Sequence, residues 1–282
     1  MNFFVNCICC SFAQVLLQKN RVAGIFFIIG IGCNSLIMLI GGIIAITTSM
    51  LIAKFLRFDN QRIKEGFYTY NSALLGIGCF YFYHPSLLTI FIVIVSALVS
   101  TLITHLMFIR SPNTSIYTIP FVSIMWMIFL IVELLNVDLV GVTHTQENSN
   151  YIYSVPLGLA QVMFQEHWIS GVFFTVGLLY HSKKLALYAI FGSFIGMVVA
   201  YFLGFAHDQI LLGYYGYNTS LVFLVLAERY NKNLWLILFS AILCVLLTRA
   251  TEELTIPSLT SPFILTSWIV IFIMERITKQ KS

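Results

Sequence analysis

Apolar runs long enough to cross a lipid bilayer recur along this chain. A membrane-spanning helix needs about 20 predominantly apolar residues. The clearest runs of this kind are 34–53, 87–109, 115–135 and 185–205. Shorter or interrupted runs lie at 22–33, 67–83, 168–181, 210–227, 234–248 and 256–274. The sequence therefore predicts an all-α integral membrane protein with ten transmembrane helices.

Composition supports the membrane class and argues against an enzyme. Only 9% of the residues are charged, whereas a soluble domain carries about 25%. No His, Cys, Asp or Glu cluster has metal-ligand spacing, and Cys7 and Cys10 form a lone C-x-x-C pair. The basic residues are scattered rather than clustered, which does not suggest nucleic-acid binding. We expect no catalytic residues, no cofactor, no metal and no nucleic-acid partner.

The basic residues predict the orientation of the ten spans. With the N-terminus in the cytoplasm and alternating spans, 14 of the 15 Lys and Arg residues fall on the cytoplasmic side and Arg249 alone falls outside. This is the bias that cytoplasmic loops show in membrane proteins. We therefore predict cytoplasmic N- and C-termini and an extracytoplasmic linker at 136–152.

The chain also contains an internal repeat. Three motifs occur twice in the same order: 13–15 and 160–162, 66–74 and 213–221, and 118–121 and 260–263. The first two pairs share an offset of 147 residues, and the third has an offset of 142. We predict a first five-span repeat at 1–135 and a second at 153–282. Because five is odd, the second repeat would be inverted, which is typical of channels and transporters whose solute path lies at the repeat interface.

The repeated side chains favour a path for a small, flat, neutral solute. Gln14 and Gln161 offer amide donors and acceptors, and Thr118 and Thr260 each precede a proline by two residues, where a broken helix is expected. Ring and aliphatic residues spaced four apart share a helix face and would enclose a slot; they are Tyr70, Leu74, Tyr217 and Leu221. Uncharged oxygens can replace the hydration shell of a solute rich in N–H donors.

The repeated asparagines and glycines are expected to have structural roles rather than to contact a solute. Asn71 and Asn218 are expected to bind loose backbone groups near a helix break. The repeated glycines Gly24 and Gly171 are expected to let helices pack closely.

Two alternative functions remain open at this point. An ion-coupled secondary transporter of a small neutral amide or amine needs a buried titratable residue, for which His105 and Glu133 are the candidates. A membrane scaffold without a pore is the third class.

The repeated motifs are similar to those of the urea transporter family. The resemblance rests on Gln14-Val15 and Gln161-Val162, on the two Tyr-Asn motifs, and on the two Thr-x-Pro-Phe motifs. It implies channel-like facilitated diffusion of urea in a bacterial inner (plasma) membrane, by a homotrimer with one pore per subunit. It also implies two re-entrant pore segments, at about 4–17 and 153–164, in addition to the ten spans.

The same resemblance implies roles for individual residues. Gln14, Gln161, Thr118 and Thr260 would form hydrogen-bonding ladders. The aromatic slots would involve Tyr70, Tyr217, Leu74, Leu221 and Phe164, with Leu17 at the position that matches Phe164. Leu17 therefore leaves one slot without a ring. The tyrosines stand where phenylalanine is common in the family, so their hydroxyls could admit ammonia, water or a larger amide.

Overall fold

The computed structural model describes residues 3–112, 114–135, 150–230, 233–254 and 257–281, and these residues form 14 helices. The first seven are α1 Phe3–Val15, α2 Arg21–Asn34, α3 Leu36–Phe55, α4 Asn60–Lys64, α5 Tyr70–Phe82, α6 Leu87–Arg110 and α7 Ile119–Leu134. The next seven are α8 Tyr151–Gln161, α9 Trp168–His181, α10 Lys183–Phe202, α11 His207–Leu211, α12 Gly216–Tyr230, α13 Leu234–Glu253 and α14 Ser261–Lys281.

The prediction of an all-helical integral membrane protein is confirmed. Every predicted span contains a helix, and five helices are both long and apolar enough to cross a membrane: α3, α6, α10, α13 and α14, the last over Ser261–Thr278. Shorter apolar helices include α1, α2, α7 and α9. Large apolar side chains such as Leu87, Phe55 and Phe202 are exposed on the outer faces, where lipid would cover them. Of the predicted linker, 136–149 lies outside the described residues.

The two sets of seven helices follow the same order and nearly the same bounds. Helices α2, α3 and α4 recur as α9, α10 and α11 with both ends shifted by 147 residues. The caps recur as well, because the Ser35 Oγ accepts the Met38 N–H and the Ser182 Oγ accepts the Leu185 N–H, each at 3.3 Å. Such side-chain acceptors satisfy donors that the first turn of a helix leaves unpaired.

Left-handed backbone conformations also recur in pairs. Among the described residues, positive φ angles occur at Leu17 and Phe164, Arg57 and Gly204, Gly66 and Gly213, and Tyr117 and Leu259. Each member of a pair follows the other by 147 residues, or by 142 for the last pair. Non-glycine residues avoid this region because the Cβ clashes with the backbone. The two sets of helices therefore share the same strained turns, although their sequences differ.

Contacts between the two sets are reciprocal. Helix α2 packs on α9, where the Phe27 and Phe174 rings lie 5.1 Å apart. A Cβ at Gly30 would meet Phe174 at 2.8 Å, and one at Gly177 would meet Phe27 at 2.6 Å. Reciprocal pairs of this kind are the contacts that a two-fold relation produces.

Helices α7 and α14 form a second reciprocal contact. The Trp126 Nε1–H donates to the Pro257 carbonyl at 2.9 Å, and the Trp268 Nε1–H donates to the Ser115 carbonyl at 3.1 Å. Each tryptophan thus binds the turn that precedes the opposite helix. These contacts hold each helix against the start of the other.

Candidate functional site

Each set of helices has a break at its Thr-x-Pro motif, and the break lies before a helix rather than within one. Pro120 lies in the first turn of α7 and Pro262 in the first turn of α14. A proline is tolerated there because the first N–H groups of a helix have no partner within the helix. Thr118 and Thr260 therefore stand at the start of their helices, directly after the left-handed residues Tyr117 and Leu259.

An asparagine side chain holds each of these turns from a neighbouring helix. The Asn71 Nδ2–H donates to the Tyr117 carbonyl, and its Oδ1 accepts the Phe121 N–H, each at 3.3 Å. Asn218 makes the matching bonds to the Leu259 carbonyl at 3.1 Å and to the Phe263 N–H at 3.3 Å. The predicted structural role of both asparagines is confirmed.

The hydroxyls of Tyr70 and Tyr217 bind the same two turns. The Tyr70 hydroxyl donates to the Tyr117 carbonyl, and the Tyr217 hydroxyl donates to the Leu259 carbonyl at 2.6 Å. The Tyr217 hydroxyl also lies 2.8 Å from the Ser258 Oγ. Both hydroxyls are thus bound to protein groups, while the tyrosine rings remain available as walls.

The two threonines of the repeated motif touch each other. The Thr118 Oγ1 and the Thr260 Oγ1 lie 2.7 Å apart, and both residues are 3% exposed. The sequence places them 142 residues apart, and nothing local predicts the contact. It brings one polar group from each set of helices to the place where α7 meets α14.

A cavity of about 190 Å³ opens next to this pair of threonines. Its lining includes four predicted site residues, which are Gln161, Phe164, Tyr217 and Thr260. Phe164 has a φ of 58° and lies in the turn after α8, and its ring lies 5.9 Å from that of Phe121. The strained turn thus brings a ring from the second set of helices against the first set.

Gln14 is buried but does not line this cavity. It is 5% exposed, and its amide nitrogen has no hydrogen-bond partner among the described residues. A buried donor without a partner costs roughly 1–3 kcal/mol. Such a group is a candidate for a hydrogen bond to a solute.

The remaining predicted residues lie in the same packed region but outside the lining of this cavity. Leu74 and Leu221 are buried within the main apolar core, together with Tyr70, and Leu17 packs against that core. Leu17 has the left-handed conformation that matches Phe164, with a φ of 60°. The structure thus brings four second-half residues together at one cavity, and Thr118 reaches it through its contact with Thr260. Leu221 and the predicted residues of the first half lie outside the lining.

The sequence model of the urea transporter family matches residues 5–275. The chain belongs to the urea transporter family. The match covers twelve of the 14 helices completely and most of α1 and α14. Membership makes the chain a multi-pass membrane transport protein and not an enzyme.

Curated relatives agree with this membership at low identity. The chain is 21% identical to urea transporter 1 of Ovis aries over 305 residues, which is 97% of this chain and 78% of the relative. It is 21% identical to urea transporter 1 of Mus musculus over 268 residues, covering 87% of this chain and 68% of the relative. The similarity therefore extends along the whole chain rather than over one motif.

Several polar residues of the candidate site could not be identified from the sequence. Tyr81, Glu166 and Tyr214 line the cavity beside Gln161, and Ser258 joins the Tyr214 and Tyr217 hydroxyls at 2.8 Å each. Of these, Glu166 has no counterpart of the same charge, because Lys19 occupies the position 147 residues earlier. A search for repeated residues cannot find groups that occur in one half alone.

Proposed function

We propose that the chain conducts urea by facilitated diffusion through a narrow path between two inverted halves. The halves are residues 1–135 and 153–282, joined by the extracytoplasmic linker 136–152. In this proposal each half contributes five transmembrane helices and one re-entrant segment, α1 or α8. The observation that carries the proposal is the contact of Thr118 with Thr260, one from each half, beside the cavity lined by Gln161.

Reciprocal contacts between the halves support the inverted arrangement. Helices α7 and α14 bind each other through equivalent bonds of Trp126 and Trp268. Helices α2 and α9 contact each other through the equivalent residues Phe27 and Phe174. Both pairs of contacts are those expected of two halves related by a two-fold axis. Five spans per half would place that axis in the membrane plane, with the shared path at the midplane. The distribution of Lys and Arg supports cytoplasmic termini. A bacterial inner-membrane location is also part of the proposal.

The chemistry of the path suits urea. In this mechanism Gln161 and the threonine hydroxyls exchange hydrogen bonds with the solute, which replaces the bonds that the solute made to water. The threonines give up their mutual bond as the solute passes. The Tyr217 and Phe164 rings form walls that admit a flat molecule and exclude a hydrated ion. Gln14, whose buried amide nitrogen has no partner among the described residues, supplies an amide donor for the urea carbonyl.

Neither His105 nor Glu133, the two residues considered for coupling to an ion gradient, lies in the lining of the cavity. His105 stacks on Phe58 with centroids 3.6 Å apart and lies 3.3 Å from the Tyr68 hydroxyl, away from the cavity lining. Glu133 is exposed near the end of α7. Passive flow is therefore part of the proposal, as is the homotrimer with one path per subunit that the family resemblance implies.

Stopped-flow urea flux in proteoliposomes tests the proposal. The wild-type chain is expected to raise urea permeability above that of empty liposomes, and dissipating proton or sodium gradients should not change it. Gln161→Leu should lower the flux about tenfold or more, because an unmatched buried polar group costs roughly 1–3 kcal/mol and each 1.4 kcal/mol is tenfold.

Gln61→Leu is the matched control, since Gln61 is exposed on α4 and bonds to Glu65 there. Flux that collapses with the gradient would instead identify a coupled transporter. If Gln161→Leu conducts urea at the wild-type rate, Gln161 does not form part of the path.

A further inference from the structure

A second cavity, of about 450 Å³, lies beside the C-terminal half of α14, and neither threonine of the central pair lines it. Its walls come from the segment before α7, from the last turn of α12 and from α14. The lining residues that matter here are Thr114, Ser115, Arg229, Trp268, Phe272 and Glu275. We call this space the Arg229 cavity. It combines one cation and one carboxylate with aromatic walls.

Arg229 is exposed, and its guanidinium has bonding positions to spare. Its Nη2–H donates to the Ser115 Oγ at 3.0 Å, and it forms no ion pair with any carboxylate that the structure describes. A guanidinium carries five N–H donors, so the other donors can bind an anion. A cation is also favoured at the C-terminal end of a helix such as α12, whatever its ligand. The cavity beside Arg229, rather than its charge alone, therefore indicates a site.

The equivalent place in the first half has apolar chemistry. Phe82 stands 147 residues before Arg229, and its ring packs edge-on against the Phe129 ring with centroids 4.9 Å apart. Phe129 is in turn the counterpart of Ile271, which lines the Arg229 cavity, at an offset of 142. A contact between two rings in one half is thus replaced in the other half by a guanidinium beside an open space.

The apolar wall of the Arg229 cavity lies on the outer face of α14, where lipid would cover it. Trp268, Ile269 and Phe272 are 36%, 41% and 58% exposed, on a helix long and apolar enough to span a membrane. Arg276 follows them, and its guanidinium lies 5.0 Å from the centre of the Phe272 ring. Tryptophan and basic residues near the end of a span are typical of the depth of lipid headgroups. A ligand that fits here has a charged head and an apolar tail.

We propose that the Arg229 cavity binds a zwitterionic aminophospholipid, of the phosphatidylethanolamine class. Arg229 binds the phosphate, since guanidinium and phosphate form strong, often bidentate hydrogen bonds. Glu275 binds the ammonium of the headgroup and disfavours a headgroup that carries negative charge alone. The acyl chains lie along the exposed side of Phe272. This site does not depend on the proposed urea path.

Native mass spectrometry of the purified protein tests the proposal. Phosphatidylethanolamine, phosphatidylcholine and phosphatidylglycerol with identical acyl chains are added at equal concentrations. The wild type should bind phosphatidylethanolamine in preference to the other two lipids. Arg229→Gln should weaken binding of phosphatidylethanolamine and phosphatidylcholine alike, by about tenfold or more, because both lipids lose the bond to the phosphate.

Glu275→Gln separates the two ends of the headgroup. It should abolish the preference for phosphatidylethanolamine over phosphatidylcholine, because a choline group has no N–H to donate to Glu275. Phosphatidylglycerol binding should increase in this variant, since the repulsion between two negative charges is removed.

Two matched controls remove the same charges elsewhere. Arg110 is exposed at the end of α6 and lies outside the lining, and Glu133 is the exposed counterpart of Glu275 on α7. Arg110→Gln and Glu133→Gln should both bind lipid as the wild type does. Equal binding of phosphatidylethanolamine by the wild type and Arg229→Gln would overturn the proposal, as would a wild-type preference for phosphatidylglycerol.

Cross-linking tests the competing occupant, which is a second copy of this chain. Ile269→Cys, in a background with Cys33→Ser, is treated in membranes with a short bifunctional maleimide. A lipid in the Arg229 cavity predicts that the chain stays monomeric on a denaturing gel. Efficient cross-linking of two chains through position 269 would show that a second copy covers the cavity and would reject the lipid site.

Discussion

At the scale of single residues, hydroxyls that sequence comparison assigns to a solute slot are bound to backbone carbonyls instead. Both tyrosines donate to the left-handed residue that precedes a Thr-x-Pro helix. The hypothesis that these hydroxyls widen the solute range therefore loses its geometric basis. Their position beside Asn71 and Asn218 indicates that they stabilise the strained turns that carry Thr118 and Thr260.

Tyr217→Phe tests this assignment. We expect the free energy of unfolding to fall by about 1–2 kcal/mol, because the bonds of the hydroxyl to the Leu259 carbonyl and the Ser258 Oγ are lost. Asn218 still binds the Leu259 carbonyl, and Tyr214 still binds Ser258. The ratio of urea flux to methylurea flux should stay at the wild-type value. Thermal unfolding of the purified protein and stopped-flow flux are the measurements.

Asn218→Leu is the comparison for this variant. It removes both a donor and an acceptor and leaves the Phe263 N–H without its partner, so it should destabilise the protein more than Tyr217→Phe does. If Tyr217→Phe changed the ratio of urea flux to methylurea flux, the Tyr217 hydroxyl would have to face the solute.

At the scale of helices, two glycines allow α1 and α8 each to approach the helix that follows it. A Cβ at Gly24 would meet the Cys9 carbonyl oxygen of α1 at 1.9 Å, and one at Gly171 would meet the Pro156 carbonyl oxygen of α8 at 1.8 Å. A backbone atom cannot move aside as the end of a flexible side chain can. The helices that carry Gln14 and Gln161 are therefore positioned by these contacts.

Gly24→Ala should destabilise the protein by about 1–3 kcal/mol, because α1 and α2 must separate to accept the methyl group. The shift of α1 should also lower urea flux, since Gln14 moves with it. Gly32→Ala is the control within α2, where the nearest atom is the Leu39 Cδ2 at 3.4 Å. That variant should be as stable as the wild type or more stable, because alanine favours a helix over glycine by about 1 kcal/mol. Equal losses in both variants would contradict the packing role of Gly24.

Helix positions could be predicted from sequence, but the turns between them could not. Apolar runs place a helix in each of the ten predicted spans, and the family resemblance does so for the two segments at about 4–17 and 153–164. The left-handed turns at Leu17, Phe164, Tyr117 and Leu259 have no local signal, since glycine is the usual marker of that conformation. Short helices α4 and α11 escaped prediction because five residues show no apolar period.

The residues of the candidate site also divide into those that the sequence predicts and those that it does not. Gln161, Thr260 and Tyr217 could be predicted because each belongs to a repeated motif, and Phe164 because of the family resemblance. The hydrogen bond between Tyr81 and Glu166 joins residues 85 positions apart and occurs in one half only. It depends on tertiary packing, which neither repetition nor spacing reveals.

At the scale of the whole molecule, two similar helix sets meet through exchanged contacts, so each half completes the other. Gln14 and Tyr70 come from one set, Gln161 and Tyr217 from the other, and the threonines meet between them. A path built this way needs both halves to be present and oppositely oriented. The orientation of the halves is therefore the property on which the transport proposal depends most.

Cysteine labelling of equivalent short helices measures that orientation. Asn60 on α4 and His207 on α11 are exposed and stand 147 residues apart. Lys54, Arg57, Arg62 and Lys64 surround α4, whereas residues 203–212 contain no Lys or Arg. The positive-inside bias therefore places α4 in the cytoplasm and α11 outside.

A small membrane-impermeant maleimide added to intact cells should label His207→Cys at once and Asn60→Cys only after the cells are permeabilised. Cys33→Ser provides the background, because Cys33 is the exposed one of the six native cysteines. Labelling of both sites from the same side would mean that the halves run parallel. A two-fold axis in the membrane plane could not then relate them, and the threonine contact would lose its meaning as the midpoint of a path.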